Sequence, residues 1–99
     1  MGKLVRDKIP DIIRRDGREP VVTVLGEAPY REALLAKLFE EAAELRDAPV
    51  EEVPEEVADV LEVLRALTQA HGYEWQDIER LADAKCAERG GLRGRLYLA

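Results

Sequence analysis

The sequence predicts a mainly α-helical protein: one domain over residues 1–99, built as a helical bundle that a second copy of the chain completes. Three observations predict it. Apolar residues recur at helical spacing through three long segments. Proline and glycine sit where those segments should begin and end. The chain also has only 99 residues, and a domain of this size buries only about two-thirds of its unfolded surface. Three modest helices cannot enclose a charged site unaided, so a homo-oligomer is expected, either a dimer or a dimer of dimers.

The elements follow in order. Residues 3–8 alternate weakly and carry Lys3, Arg6 and Lys8. Pro10 suits the first turn of a short helix and Gly17 its end. Val21-Val22-Thr23-Val24-Leu25 is β-branched and bounded by Pro20 and Gly26, which reads as a short strand. Its partner within the chain is expected to be Arg95-Leu96-Tyr97-Leu98, giving a two-stranded ribbon between the terminal regions. Pro29 opens a helix over about Tyr30 to Arg46. Pro49 enforces a turn. Pro54 opens a second long helix running to His71, with Gly72 as its left-handed stop. Trp75, Ile78, Leu81, Ala82 and Cys86 mark a third, about Trp75 to Arg89. Cys86 reads as a small core residue of that stripe.

The chemistry concentrates between Lys37 and Asp59. Each helical residue advances about 100°, so with Glu41 at zero, Leu34, Leu45 and Leu38 lie at about 20°, 40° and 60°. Glu41 therefore shares the apolar arc. Glu44 sits at its edge, beside Lys37. With Asp59 at zero, Ala70, Val63 and Leu67 fall at about 20°, 40° and 80°, and Glu56 at about 60° among them. Glu55 and Glu62 fall at about 300–320°, off the apolar arc, and should face water. A charged face on a helix is ordinarily a solvated one, but here both helices turn carboxylates inward. Unpaired buried carboxylates cost several kcal/mol or become neutral, and a divalent cation is the simplest compensation. Oxygen ligands without Cys or His suit Mg²⁺, with Mn²⁺ as the other candidate. Carboxylates paired at i, i+3 on facing helices are how bundle-core metal sites are built. The predicted metal ligands are Glu41, Glu44, Glu56 and Asp59.

Charge is unevenly spread. Residues 1–18 carry six basic and three acidic side chains, residues 85–99 four and one, and the span between them five and seventeen. Such a middle excludes a nucleic-acid polymer as partner. Basic ends around an acidic centre suit a small anion held through metal. One histidine and one cysteine supply neither a Ser–His–Asp nor a Cys–His set. His71, near a helix C-terminus, reads as a cap. No apolar run reaches transmembrane length and no leader is apparent, so no membrane partner and a cytoplasmic location are expected.

Glu40-Glu41-x-x-Glu44 followed by Glu56-x-x-Asp59 resembles the signature of the MazG-type, all-α nucleoside triphosphate pyrophosphohydrolases. Lys3-Leu4-Val5-Arg6-Asp7-Lys8-Ile9-Pro10 and Lys85-x-x-Glu88-Arg89-Gly90-Gly91 are similar to a small branch described as phosphoribosyl-ATP pyrophosphohydrolase-like. The resemblance spans the chain. It implies a MazG-like bundle and metal-dependent cleavage of a nucleotide substrate between the α- and β-phosphates, giving a monophosphate and pyrophosphate. Glu40 is the candidate to orient or deprotonate the water. Arg6, Lys85 and Arg89, with Lys8, are candidates to hold phosphates, and Lys37 to bind substrate or balance the carboxylates. Phosphoribosyl-ATP hydrolysis is the alternative substrate. A nucleotide-binding helical dimer without turnover, and a purely structural bundle, are the non-enzymatic alternatives. Tyr30 reads as a packing residue, and no residue is assigned to base recognition.

Overall fold

The computed structural model describes residues 2–99. Four α-helices form: α1 (Ile9–Arg15), α2 (Glu27–Asp47), α3 (Val53–Ala70) and α4 (Trp75–Arg89), with a single 3-10 turn, Val50–Glu52, leading into α3. The mainly helical expectation holds.

Local chemistry sets the boundaries. Helix α2 begins three residues before the expected Tyr30, because a first-turn proline has no N–H to leave unpaired, so Pro29 is tolerated inside the first turn. It ends where Ala48 turns extended (ψ 140°), the conformation a following proline imposes. Helix α3 ends in a Schellman pattern. Gly72 takes φ +82°, its N–H donates to Gln69 O at 2.9 Å, and the Tyr73 N–H donates to Thr68 O at 3.0 Å. Only glycine adopts that conformation freely. His71 occupies the C-cap position, its backbone N–H donating to Leu67 O.

Helices α2 and α3 form an antiparallel hairpin, which is the body of the fold. Helix α4 packs on α3 alone among the helices. It is attached through half-buried Trp75 and Ile78, with the Arg65 guanidinium 5.8 Å from the Trp75 ring centre. Beyond Ile78 the helix stands free, so Leu81 and Cys86 are exposed. The expected core position for Cys86 is corrected accordingly: the apolar stripe exists, but no element among the described residues covers it.

The expected β-ribbon is also absent among the described residues. Residues 21–25 and 95–98 form no ladder. Val21 is fully exposed, and so nearly are Leu96, Tyr97 and Leu98. Arg95 adopts φ 58°, which breaks an extended run at its first residue. β-branched composition states a preference, but a strand needs a partner edge.

The core is small. Leu34 and Val63, at 4% and 6% exposure, are the buried apolar side chains among the described residues. The accessible surface is 8885 Å², against about 5,700 Å² for a compact monomer of this mass. The radius of gyration is 17.0 Å, against about 13 Å. Phe39 is 75% exposed, and Leu35, Val57 and Leu64 also reach solvent.

Candidate metal centre

The hairpin brings the two acidic motifs together. Glu41 is 6% exposed, Glu56 and Asp59 are half-buried, and Glu44 is exposed at the margin. Two carboxylate groups result, Glu40–Glu41–Glu44 and Glu41–Glu56–Asp59. In each, one oxygen per residue lies within 4.8 Å of the others. Glu41 belongs to both. Glu41, Glu56 and Asp59 turn inward as the helical wheel predicts, while Glu40 and Glu44 join Glu41 from the margin in the first group. Glu55 faces water as expected. Glu62 is exposed too, yet it also lines the adjoining cavity.

The site's own cations answer part of this charge. Lys37 Nζ lies 3.3 Å from Glu41 Oε1 and 3.9 Å from Glu40 Oε2. Lys3 Nζ reaches Glu40 Oε1 at 4.0 Å. The Arg6 guanidinium donates to Asp59 Oδ1 at 2.7 Å. Among the buried side-chain oxygens, two have no hydrogen-bond partner among the described residues: Oε2 of Glu41 and Oε2 of Glu56. Burial pushes the Glu41 carboxyl above its ordinary value; neighbouring Glu44 adds to this and Lys37 opposes it. Glu56 is raised by desolvation first, then by the charges of Asp59 and Glu41. The hydrogen bond to Asp59 raises Arg6 in turn. Clustered, partly desolvated carboxylates with perturbed affinities for protons are a recognised feature of functional sites. Carboxylate oxygens are the hard donor type that Mg²⁺ and Mn²⁺ take, and Oε2 of Glu41 and Oε2 of Glu56 are the buried ones without a partner.

Beside the cluster, a cavity of about 750 Å³ lies between segment 3–9 and the α2–α3 hairpin. Arg6, Lys8 and Lys37 line it together with Glu41 and Asp59. Lys85 and Arg89 are elsewhere within one chain: both are exposed on α4 and do not line this cavity. Lys3, which the resemblance implies lies toward the site together with Arg6 and Lys8, lines the cavity and reaches Glu40 from an exposed position.

The comparisons with known proteins leave function open. No family model and no solved structure matches the chain. An uncharacterized protein of Mycolicibacterium smegmatis is 56% identical over 48 residues, 48% of this chain and 49% of that protein. The chain spans about half the length of that relative. No helix among the described residues is long and apolar enough to cross a membrane.

Proposed function

We propose that this chain is a metal-dependent pyrophosphohydrolase that cleaves a nucleoside triphosphate, or a close relative, to the monophosphate and pyrophosphate. The observation that carries the reading is Glu41: a nearly buried carboxylate, shared by two acidic groups, with one oxygen left unpaired. The MazG-type resemblance of the acidic motifs and their basic flanks supplies the reaction class. Glu41, Glu44, Glu56 and Asp59 would hold Mg²⁺ or Mn²⁺, which supplies charge neutralisation at phosphate oxygens and lowers the pKa of a bound water.

The chain's residues do the rest. Glu40, at the margin and flanked by Lys3 and Lys37, orients the attacking water and accepts its proton. Arg6 and Lys8 present positive charge along the cavity wall, and a guanidinium matches phosphate oxygens two at a time. Lys85 and Arg89 join them only if a second copy brings α4 across. That second copy is part of the proposal. The excess of exposed surface, and Phe39, Leu35 and Leu64 on its faces, are what a homodimer would cover. A cytoplasmic location, where nucleoside triphosphates are abundant, goes with the reading.

The test is pyrophosphate release from canonical and modified nucleoside triphosphates and from phosphoribosyl-ATP, each with Mg²⁺ and with EDTA. Mg²⁺-dependent release from one or more substrates is the expected result. Metal and nucleotide binding with no product from any of them would overturn the enzymatic reading in favour of a binding module.

A further inference from the structure

The cavity beside the acidic cluster is longer than a metal and a phosphate chain require. Its volume, about 750 Å³, is that of a site for a whole small molecule. One end is charged, at Glu41, Asp59, Lys37 and Arg6. The middle is walled by Leu34 and Val63, the two best-buried apolar side chains, with the exposed Glu62 also on its lining. The far end is bounded by Tyr30, Ala66 and Gln69. A smaller hollow of about 290 Å³, lined by Tyr30, Arg31 and Gln69 among others, continues past that end, so Tyr30 on α2 and Gln69 on α3 face each other across the hairpin.

The helical rise sets the length of this span. Tyr30 precedes Glu41 by eleven residues, three helical turns, which keeps both on one face of α2 and separates them by about 16 Å along the axis. Gln69 follows Asp59 by ten residues, about 15 Å along α3 in the opposite sense. A base, a sugar and a phosphate chain laid end to end need a span of this order. They also need its polarity: cations and carboxylates at one end, an apolar middle for the sugar face, and a flat ring with an amide at the other.

We infer that the Tyr30–Gln69 end of the cavity is a nucleobase subsite, an inference that rests on the nucleotide reading above. The Tyr30 ring supplies a stacking face, which is worth having for any base. The Gln69 amide presents a donor and an acceptor side by side, the pattern that pairs with the edge of a base. Tyr30 discriminates a nucleotide from a bare phosphate chain, and Gln69 discriminates one base from another. Tyr30 is half-buried and Gln69 exposed, so Gln69 is open to substitution without disturbing the core.

The experiment is calorimetric binding with Mg²⁺ of α,β-methylene nucleoside triphosphates, which resist this cleavage, beside inorganic tripolyphosphate. Wild type, Tyr30→Leu and Gln69→Ala are compared. Wild type is expected to prefer at least one nucleotide over tripolyphosphate by about tenfold or more. Tyr30→Leu should abolish that preference and Gln69→Ala should flatten the ranking of bases, both with tripolyphosphate affinity unchanged. Equal affinity of wild type for tripolyphosphate and every nucleotide, or variants that keep the wild-type preference, overturns the subsite and leaves the phosphate and metal reading standing. Failure of folded wild type to bind tripolyphosphate or any nucleotide overturns the nucleotide reading itself, and the subsite with it.

Discussion

Replacing Glu41 by glutamine should have opposite effects on stability with and without divalent metal. The carboxylate is 6% exposed and contributes to both acidic groups. In EDTA it is a burden. One oxygen meets Lys37 at 3.3 Å, but the other is buried without a partner beside Glu44 and Glu56. Glutamine keeps the shape, lets Oε1 accept from Lys37 and gives the orphaned position an N–H₂ that can donate to a neighbouring carboxylate. Relieving one buried unsatisfied group is worth about 1 kcal/mol or somewhat more, which raises Tm by roughly 4–8 °C in a domain of this size. In Mg²⁺ at a hundred times its Kd, linkage stabilises wild type by about 2.7 kcal/mol, a rise of roughly 10–20 °C. Even outer-shell partners change metal affinity by about 10–100-fold. Loss of a ligand common to both groups is set at the upper end, which leaves about 0.4 kcal/mol of Mg²⁺ stabilisation at the same concentration. Differential scanning fluorimetry at fixed protein concentration, with EDTA and across a Mg²⁺ titration, reads both effects. Equal Mg²⁺ shifts in the two proteins refute the shared-ligand reasoning. A lower Tm for the variant in EDTA refutes the claim that the metal-free carboxylate is a burden.

The remaining predictions use the same preparations. Glu56→Gln and Asp59→Asn should abolish Mg²⁺-dependent pyrophosphate release, whereas Glu55→Gln, on the wet side of α3, should leave it within about twofold, since surface changes away from a site are near neutral. The metal-free protein should become more stable as pH falls from neutrality towards the ordinary carboxylate range. Glu41 and Glu56 are raised in the fold, so the folded chain binds more protons than the unfolded one between the two values, and stability falls as pH rises through that window. Saturating Mg²⁺ should reverse this slope, because protons then compete with the metal, and the Glu41→Gln/Glu56→Gln double variant should flatten it in EDTA. Gly72→Ala should lower Tm through about 1–2 kcal/mol of left-handed backbone strain while leaving the Mg²⁺ shift intact. If the chain pairs as proposed through the face that carries Phe39, 75% exposed in one chain, sedimentation velocity should show a wild-type dimer and a Phe39→Glu monomer; a monomeric wild type refutes the pairing, and a dimeric variant refutes this face.

What the sequence revealed follows the range of the forces involved. The ends of α3 and α4 were legible to within a residue or so, because Pro54, Gly72 and Gly90 act on their own backbone. The inward turn of Glu41, Glu56 and Asp59 was legible because helical periodicity is rigid over three turns. The loop conformations were not. Residues 21–25 have strand composition, but whether they pair depends on an edge the chain does not supply. Arg6 on Asp59 and Lys3 on Glu40 join positions far apart in sequence, and no local pattern specifies such a pairing. The environment of Cys86 was misread for a related reason: its stripe on α4 is apolar, yet α3 supplies packing only as far as Ile78.

These features bear on one energetic question. A domain of this size holds about 5–15 kcal/mol of net stability, and an apolar core led by Leu34 and Val63 is small. Desolvating carboxylates without full compensation is costly, so gathering acidic side chains around the buried Glu41 draws on a small reserve. The chain offsets the charge in two different ways. Lys37 sits on the same helix as Glu41, one turn earlier, and its pairing comes with α2 itself. Arg6 arrives from a segment that belongs to no helix, and its guanidinium, more than half exposed, holds Asp59 from outside. A pair of that exposure contributes little stability and is readily exchanged. Under the nucleotide reading proposed above, the helix-borne cation would steady the site, the exposed one would sit where phosphate oxygens compete for it, and the unpaired oxygens of Glu41 and Glu56 would be left for the metal.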